Sequence, residues 1–209
     1  MSRTHFACAV LSGLLAAGAQ QHARAHDEHS QHAAAAPAPA SAKVVLRGES
    51  LIDQTGKRVR LADDVIADKI AIVDFIYTTC TTVCPVLSAT LSQLQQRLAP
   101  AFGKEVVLVS ISVDPLRDTP QRLREHAARY DAREGWVWLT GAKPDVDAVL
   151  KGFGAYAPNF EDHPAMVLVG DASGWTRFLG FPSVDQLLAR VQALRAAHEN
   201  KGKVAQHGH

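Results

Sequence analysis

The sequence predicts an α/β fold in which a central mixed sheet is flanked by helices, with a small hairpin added at its N-terminal end. Three observations predict it. Two apolar runs of strand length, residues 70–77 and 105–113, are separated by an amphipathic stretch, residues 85–98, with Leu87, Leu91, Leu94 and Leu98 at helical spacing. Further helix and strand signals then alternate, and a hairpin pattern followed by one more helix ends the series. A pair of cysteines, Cys80 and Cys84, falls where the first apolar run hands over to the first helix.

Taken in order, the chain opens with Arg3, an apolar stretch over residues 6–19 and the small-residue site Ala23-Arg24-Ala25, the pattern of a signal peptide over residues 1–25. The apolar stretch is short of the roughly 20 residues that cross a bilayer, so cleavage after Ala25 is favoured. An uncleaved signal would act as a membrane tether. Residues 26–42 are rich in His, Ala and Pro without periodicity and are expected to be a disordered linker. The folded domain is expected over residues 43–198. Residues 44–46 and 51–61 suggest short strands, the latter around a turn at Gln54-Thr55-Gly56.

Thr119 and Pro120 supply an N-cap and a first-turn proline for a helix reaching about Tyr130. Residues 136–140 read as a strand, 143–152 as a helix, and 165–170 and 176–180 as strands meeting around Asp171-Ala172-Ser173-Gly174. Ser183 caps a final helix through about His198, and residues 199–209 are expected to be a flexible tail containing histidine. The closing hairpin and helix narrow the α/β prediction to a thioredoxin-like arrangement.

The chain has 209 residues, enough for one domain plus extensions, and its 47% hydrophobic content supports a single core. A formal net charge of +1 removes any electrostatic case for a nucleic-acid partner or an anionic membrane surface. A monomer is expected. Removing the signal also removes Cys8, leaving Cys80 and Cys84 as the only thiols of an exported protein. A structural disulfide is the ordinary reading of two such cysteines, but a bridge over so few residues would constrain the unfolded chain little. A dithiol at a helix start instead favours thiolate, which both metal binding and disulfide exchange require. The spacing alone leaves both open.

Three segments together narrow the choice. The run Phe75-Ile76-Tyr77-Thr78-Thr79-Cys80-Thr81-Thr82-Val83-Cys84-Pro85, the run Val109-Ser110-Ile111-Ser112-Val113-Asp114-Pro115-Leu116-Arg117-Asp118-Thr119-Pro120, and Asp162-His163 before a strand resemble the Sco/SenC family in order and spacing. The resemblance implies a thioredoxin-like domain that binds copper through Cys80, Cys84 and His163, with Asp114 and Asp118 beside the site. It implies a metallochaperone, facing the bacterial periplasm, that assists assembly of the copper centre of cytochrome c oxidase or another exported cuproenzyme, its partner being the apo copper protein. Two thiolates and an imidazole suit Cu(I) or Cu(II).

The alternative is an enzyme, a thiol-disulfide oxidoreductase in which Cys80 and Cys84 are catalytic and reduce a copper protein's cysteines. Thr81 and Pro164 depart from the family pattern, and Pro164 stands where thioredoxins carry a cis-proline facing the dithiol. A thiol peroxidase is a third reading, from Thr81-Thr82-Val83-Cys84-Pro85, weakened by Tyr77 where that pattern carries proline. His126 is expected to be an ordinary helix residue, and Asp114 and Asp118 have an alternative as capping residues. Trp136, Trp138, Phe153, Phe160 and Trp175 are expected in the core or at its rim. The terminal histidines, including His22, His26, His29, His32, His207 and His209, could bind copper loosely, with no defined site expected.

Overall fold

Eight strands make one mixed sheet in the order β1-β8-β7-β4-β5-β6-β2-β3 in the computed structural model, which describes residues 37–206. The strands are β1 (Ala40–Ala42), β2 (Ser50–Asp53), β3 (Arg58–Arg60), β4 (Ile70–Ile76), β5 (Val106–Ser112), β6 (Trp136–Gly141), β7 (Met166–Asp171) and β8 (Gly174–Leu179). The helices are α1 (Val83–Arg97), α2 (Pro120–Ala128), α3 (Lys143–Phe153) and α4 (Val184–Gln206), with a π-helical turn at Leu61–Ile66 and a 3₁₀ turn at Phe160–Asp162. β4, β5 and β6 are parallel, whereas β7 runs antiparallel to β4 and β8 antiparallel to β7. This is the thioredoxin-like arrangement, with the expected N-terminal hairpin present as β2 and β3.

β4 and β5 are buried at every position, as their unbroken apolar runs require of central parallel strands covered on both faces. Alternation then sorts their side chains. Ile70, Ile72 and Ile76 pack with Leu87, Leu91 and Leu94 of α1 and Leu187 and Val191 of α4 on one face. Ala71, Val73 and Phe75 pack with Val146, Val149, Leu150 and Phe153 of α3 on the other. Trp136, Trp138 and Phe153 are core residues, and Phe160 and Trp175 lie half-buried at its rim.

Two expected caps are present. Thr119 accepts from the Arg122 N–H at 3.3 Å, and Ser183 forms a reciprocal pair with Gln186, whose backbone N–H it accepts at 3.2 Å while Gln186 Oε1 accepts its own N–H at 2.8 Å.

The domain begins earlier than the linker composition suggested. Ala40–Ala42 pair in register with Arg177, Thr176 and Trp175 of β8, because that strand leaves a free edge which any extended segment can extend. The rest of the expected linker, residues 26–36, and the expected signal peptide lie outside the described residues. No described helix is long and apolar enough to cross a membrane.

Residues 44–46 form no strand. The Val45 N–H instead bonds the Gly152 carbonyl at 3.1 Å, and a Cβ on Gly152 would collide with the Val45 carbonyl. The C-terminal segment expected to be flexible continues α4 to Gln206, since Glu, Lys, Ala and Gln favour helix even without an apolar face. His207 and His209 lie outside the described residues.

Candidate dithiol and histidine site

Topology gathers the predicted residues at one end of the sheet. The segment after β4 carries Cys80, the segment after β5 carries Asp114 and Asp118, and β7, running the opposite way, is entered at that same end through His163.

Cys80 precedes α1 and Cys84 lies in its first turn, so the two are not stacked on one helical face as the spacing allowed. Thr82 makes no side-chain cap. Its place is taken by the Cys80 sulfur, which accepts the Cys84 N–H at 3.3 Å and so satisfies a first-turn donor that the helix leaves free. Both cysteines are free thiols and buried, which sets aside a structural disulfide in this state.

Their surroundings divide their acidities. Burial opposes ionisation of Cys80, yet hydrogen bonds from the Cys84 thiol, the Cys84 and Thr82 N–H groups and the Tyr77 hydroxyl outweigh it and bring Cys80 below the ordinary thiol range. Burial pushes Cys84 well above that range, reinforced by its bond to Cys80 and by the charges of Cys80 and Asp74. Burial and the Cys80 sulfur raise Tyr77 to about 12, keeping it a hydroxyl donor.

His163 is buried. Its Nδ1 lies 2.7 Å from the Phe160 carbonyl, which can only accept; Nδ1 therefore carries the proton and Nε2 keeps a free lone pair. Its ring meets Tyr77 edge-on at 5.8 Å, and Tyr77 meets Phe160 at 5.1 Å. Tyr77 thus stands between the histidine and the dithiol. Among the described residues no three His, Cys, Asp or Glu side chains come together closely enough to hold a metal ion. The donors present are nonetheless a metal-ligating set: two soft sulfurs and one imidazole nitrogen with its tautomer fixed. The described peptide bonds are all trans, Pro164 included, so the cis-proline likeness is absent, and His163 has the extended backbone normal before proline.

Asp118 ties the cysteine loop to the β5 loop. It accepts from the Thr78 hydroxyl at 2.5 Å, the Thr78 N–H at 3.2 Å and the Ser112 hydroxyl at 2.7 Å. Burial raises Asp118 above the usual carboxylate range against those bonds. Asp114, also buried, accepts from Arg117 at 3.0 Å and, with Arg117, Phe160 and His163, lines a cleft of about 100 Å³.

Asp74 is the residue that the sequence reading missed. It is fully buried on the α1 face of β4, in register with Ser110, whose hydroxyl donates to it at 2.6 Å and in turn accepts from the Trp136 indole at 2.9 Å. Its second oxygen has no partner. An acid inside an otherwise apolar run was the available signal. His126, expected to be an ordinary helix residue, is also buried, with neither ring nitrogen bonded.

Residues 40–189 match the SCO1/SenC family model. Among curated relatives, the SCO1 protein homolog of Bacillus subtilis is 36% identical over 115 residues, covering 53% of this chain and 58% of that protein. Protein SenC of Rhodobacter capsulatus is 36% identical over 107 residues, covering 51% and 46%. The chain spans about half the length of these curated relatives. Among solved structures, BsSco, described as a member of the Sco family of cytochrome c oxidase assembly proteins with a disulfide switch, superposes with a TM-score of 0.61 at 28% identity, covering 74% of this chain and 94% of that one. Arabidopsis thaliana ScoI with copper bound gives a TM-score of 0.61 at 24% identity, covering 73% and 99%, a likeness of fold.

Proposed function

Because the chain belongs to the SCO1/SenC family, we propose that it is an exported copper chaperone that holds its cargo ion between the sulfurs of Cys80 and Cys84 and Nε2 of His163. The observation that carries this reading is the donor set itself: two free thiols, one held below the ordinary thiol range by its hydrogen bonds, and an imidazole whose Nδ1 is committed to the Phe160 carbonyl so that Nε2 is free. Two sulfurs select Cu(I), and the added imidazole lets the site take Cu(II) as well. Three protein ligands leave room for a fourth from the acceptor, so the ion can be passed before the donor's bonds all break. The acceptor is an apo copper protein, of which the copper centre of cytochrome c oxidase is the first candidate, in keeping with the description of BsSco. Asp118 holds the cysteine loop in place through Thr78, and Asp114 stands in the cleft beside His163.

The test is an anaerobic titration of the reduced full chain with Cu(I) against a competing chelator. One tight site is expected, weakened at least about tenfold by His163→Ala and abolished by Cys80→Ser with Cys84→Ser. Unchanged affinity in His163→Ala removes the histidine from the site.

A second reading, thiol-disulfide exchange on a copper protein's cysteines, is favoured by the split between a low Cys80 and a high Cys84. That is the asymmetry of an attacking and a resolving thiol. A reduction potential close to that of the compartment would support it.

A further inference from the structure

We propose that the end of the sheet around Cys80, Cys84 and His163 is the docking face for the acceptor copper protein, which it holds by apolar contact: Val86, Leu116 and Phe181 press on the acceptor's surface, and the cleft between Leu116 and His163 takes one of its apolar side chains. The inference rests on the copper-transfer reading above and goes beyond it by naming the surface and the chemistry of the encounter. Its starting point is exposure. Among the described residues the three most exposed large apolar side chains are Leu116 at 77%, Phe181 at 51% and Val86 at 50%. Exposed apolar residues scattered singly carry no message, whereas a group of them marks a contact surface. These three are grouped.

Topology brings them together. β4 and β5 are parallel, and β8 is parallel to β4 through two antiparallel pairings, so the C-terminal ends of β8, β4 and β5 and the start of β7 all lie at one end of the sheet. Across that end, in sheet order, β8 is followed by Phe181, β7 is preceded by His163, β4 is followed by Cys80 and β5 is followed by Leu116. α1 also begins here, with Val86 in its first turn. The four strand ends span about 14 Å. The copper donors thus have an exposed apolar side chain on the β8 side, another on the β5 side and a third in the helix layer.

The donors themselves require a partner to sit on this face. Cys80, Cys84 and His163 are all buried, so an ion held between them cannot be handed on at a distance. The acceptor's own ligands must come within bonding reach, and its surface then covers the rim. Charge does not supply the attraction. In the cleft beside His163, Arg117 pairs with Asp114 at 3.0 Å and Lys143 with Asp147 at 2.6 Å, so two cations and two anions cancel. Apart from these and His163 the lining is apolar, with Pro115, Leu116, Leu150, Pro158 and Phe160 among it. The cleft holds about 100 Å³. An apolar cavity of about 150 Å³ admits benzene, so one aliphatic side chain such as Leu or Met fits this one.

The size of the face selects the kind of complex. A patch about 14 Å across, even with its rim, falls well short of the roughly 800 Å² that each partner gives to a stable complex. That suits an acceptor which docks, takes the ion and leaves, rather than a permanent second copy of this chain. A few apolar anchors around a pocket are enough to steer such an encounter, because most of the energy of an interface resides in a handful of residues.

The test mixes the full chain, loaded with one equivalent of Cu(I), with the reduced apo copper domain of the cytochrome c oxidase subunit encoded in the same genome. Copper moved is measured by rapid anaerobic separation and metal analysis. The second-order transfer rate should fall about tenfold in V86S/L116S/F181S, while Cu(I) affinity against a chelator stays unchanged because none of the three supplies a ligand. Leu116→Met should keep the rate, and Ala157→Leu, which fills the cleft, should lower it. Val45→Ser is the control, an exposed apolar residue bonded to Gly152 at the far end of α3, and should change nothing. A full rate in the triple variant overturns the inference, as does an equal fall in Val45→Ser, or self-association of the unaltered chain that the triple substitution abolishes. Tight copper binding without transfer to this acceptor also overturns it, and leaves the metal site standing. If the unaltered chain binds no copper, the copper reading fails, and docking is decided by titrating the isotope-labelled acceptor with the apo chain: nuclear magnetic resonance shifts that the triple variant does not produce support the face, and equal shifts overturn it.

Discussion

Replacing Asp74 by Asn is expected to stabilise the reduced protein by an amount that grows with pH. Burial raises the Asp74 carboxyl from its ordinary 3.8 to about 7, against the hydrogen bond from Ser110. Below 3.8 the folded and unfolded chains both hold the proton, and the group contributes no pH dependence. Between the two values the folded chain keeps a proton that the unfolded chain has released, so each rise in pH favours unfolding, and the loss levels off above about 7. At full ionisation the displacement corresponds to about 4 kcal/mol against the fold. Asn keeps an oxygen to accept from Ser110 and carries no charge.

Subtracting wild type from D74N cancels the titrations that the Asp74 charge does not influence, and Cys84, which it does influence, is pushed far above this pH range. What remains is a gap that should widen by about 2.5 kcal/mol between pH 5 and pH 8. The assay is urea unfolding of both proteins at pH 5, 6, 7 and 8, with a phosphine keeping the thiols reduced. A gap constant to within about 0.5 kcal/mol across that range would refute the buried, proton-holding Asp74.

Other consequences follow from the same geometry. Asp118→Ala strips the acceptor from the Thr78 N–H, the Thr78 hydroxyl and the Ser112 hydroxyl, and a loss of about 3 kcal/mol is expected in urea unfolding; a loss under about 1 kcal/mol would mean the loop is held elsewhere. Limiting iodoacetamide at pH 7.5, followed by peptide mass mapping, should label Cys80 before Cys84, and the reverse order would contradict the division of acidities between them. Leu91→Ala, at a fully buried position of α1, should cost about 3 kcal/mol by the same denaturation assay. A change within about 0.5 kcal/mol would place Leu91 outside the core.

Much of the fold was readable because burial writes itself into pattern. β4 and β5 are covered on both faces and so appear as unbroken apolar runs, while α1 announces itself through Leu87, Leu91 and Leu94. Local chemistry exposed the starts of α2 and α4, through Thr119 and Ser183. β1 was hidden because Ala40, Ser41 and Ala42 carry no strand signal of their own; their partner, the free edge of β8, is distant in sequence. The end of α4 was hidden for the opposite reason, since its last residues are helical by propensity without an apolar face.

At the site, residue types and order singled out the cysteines and His163 as candidates. They could not show that Cys80 precedes the helix and caps it through sulfur, that Phe160 fixes the histidine tautomer, or that Tyr77 stands between histidine and dithiol. Each of these depends on backbone angles and side-chain packing that spacing does not encode.

The central claim is most directly tested by X-ray absorption at the copper edge on the full chain loaded with one equivalent of Cu(I) under anaerobic conditions. The account predicts a first shell of two sulfurs and one imidazole nitrogen, with the imidazole contribution lost in His163→Ala and the sulfurs lost when Cys80 and Cys84 are replaced by Ser. A first shell without sulfur, or an imidazole contribution that persists undiminished in His163→Ala, would contradict it.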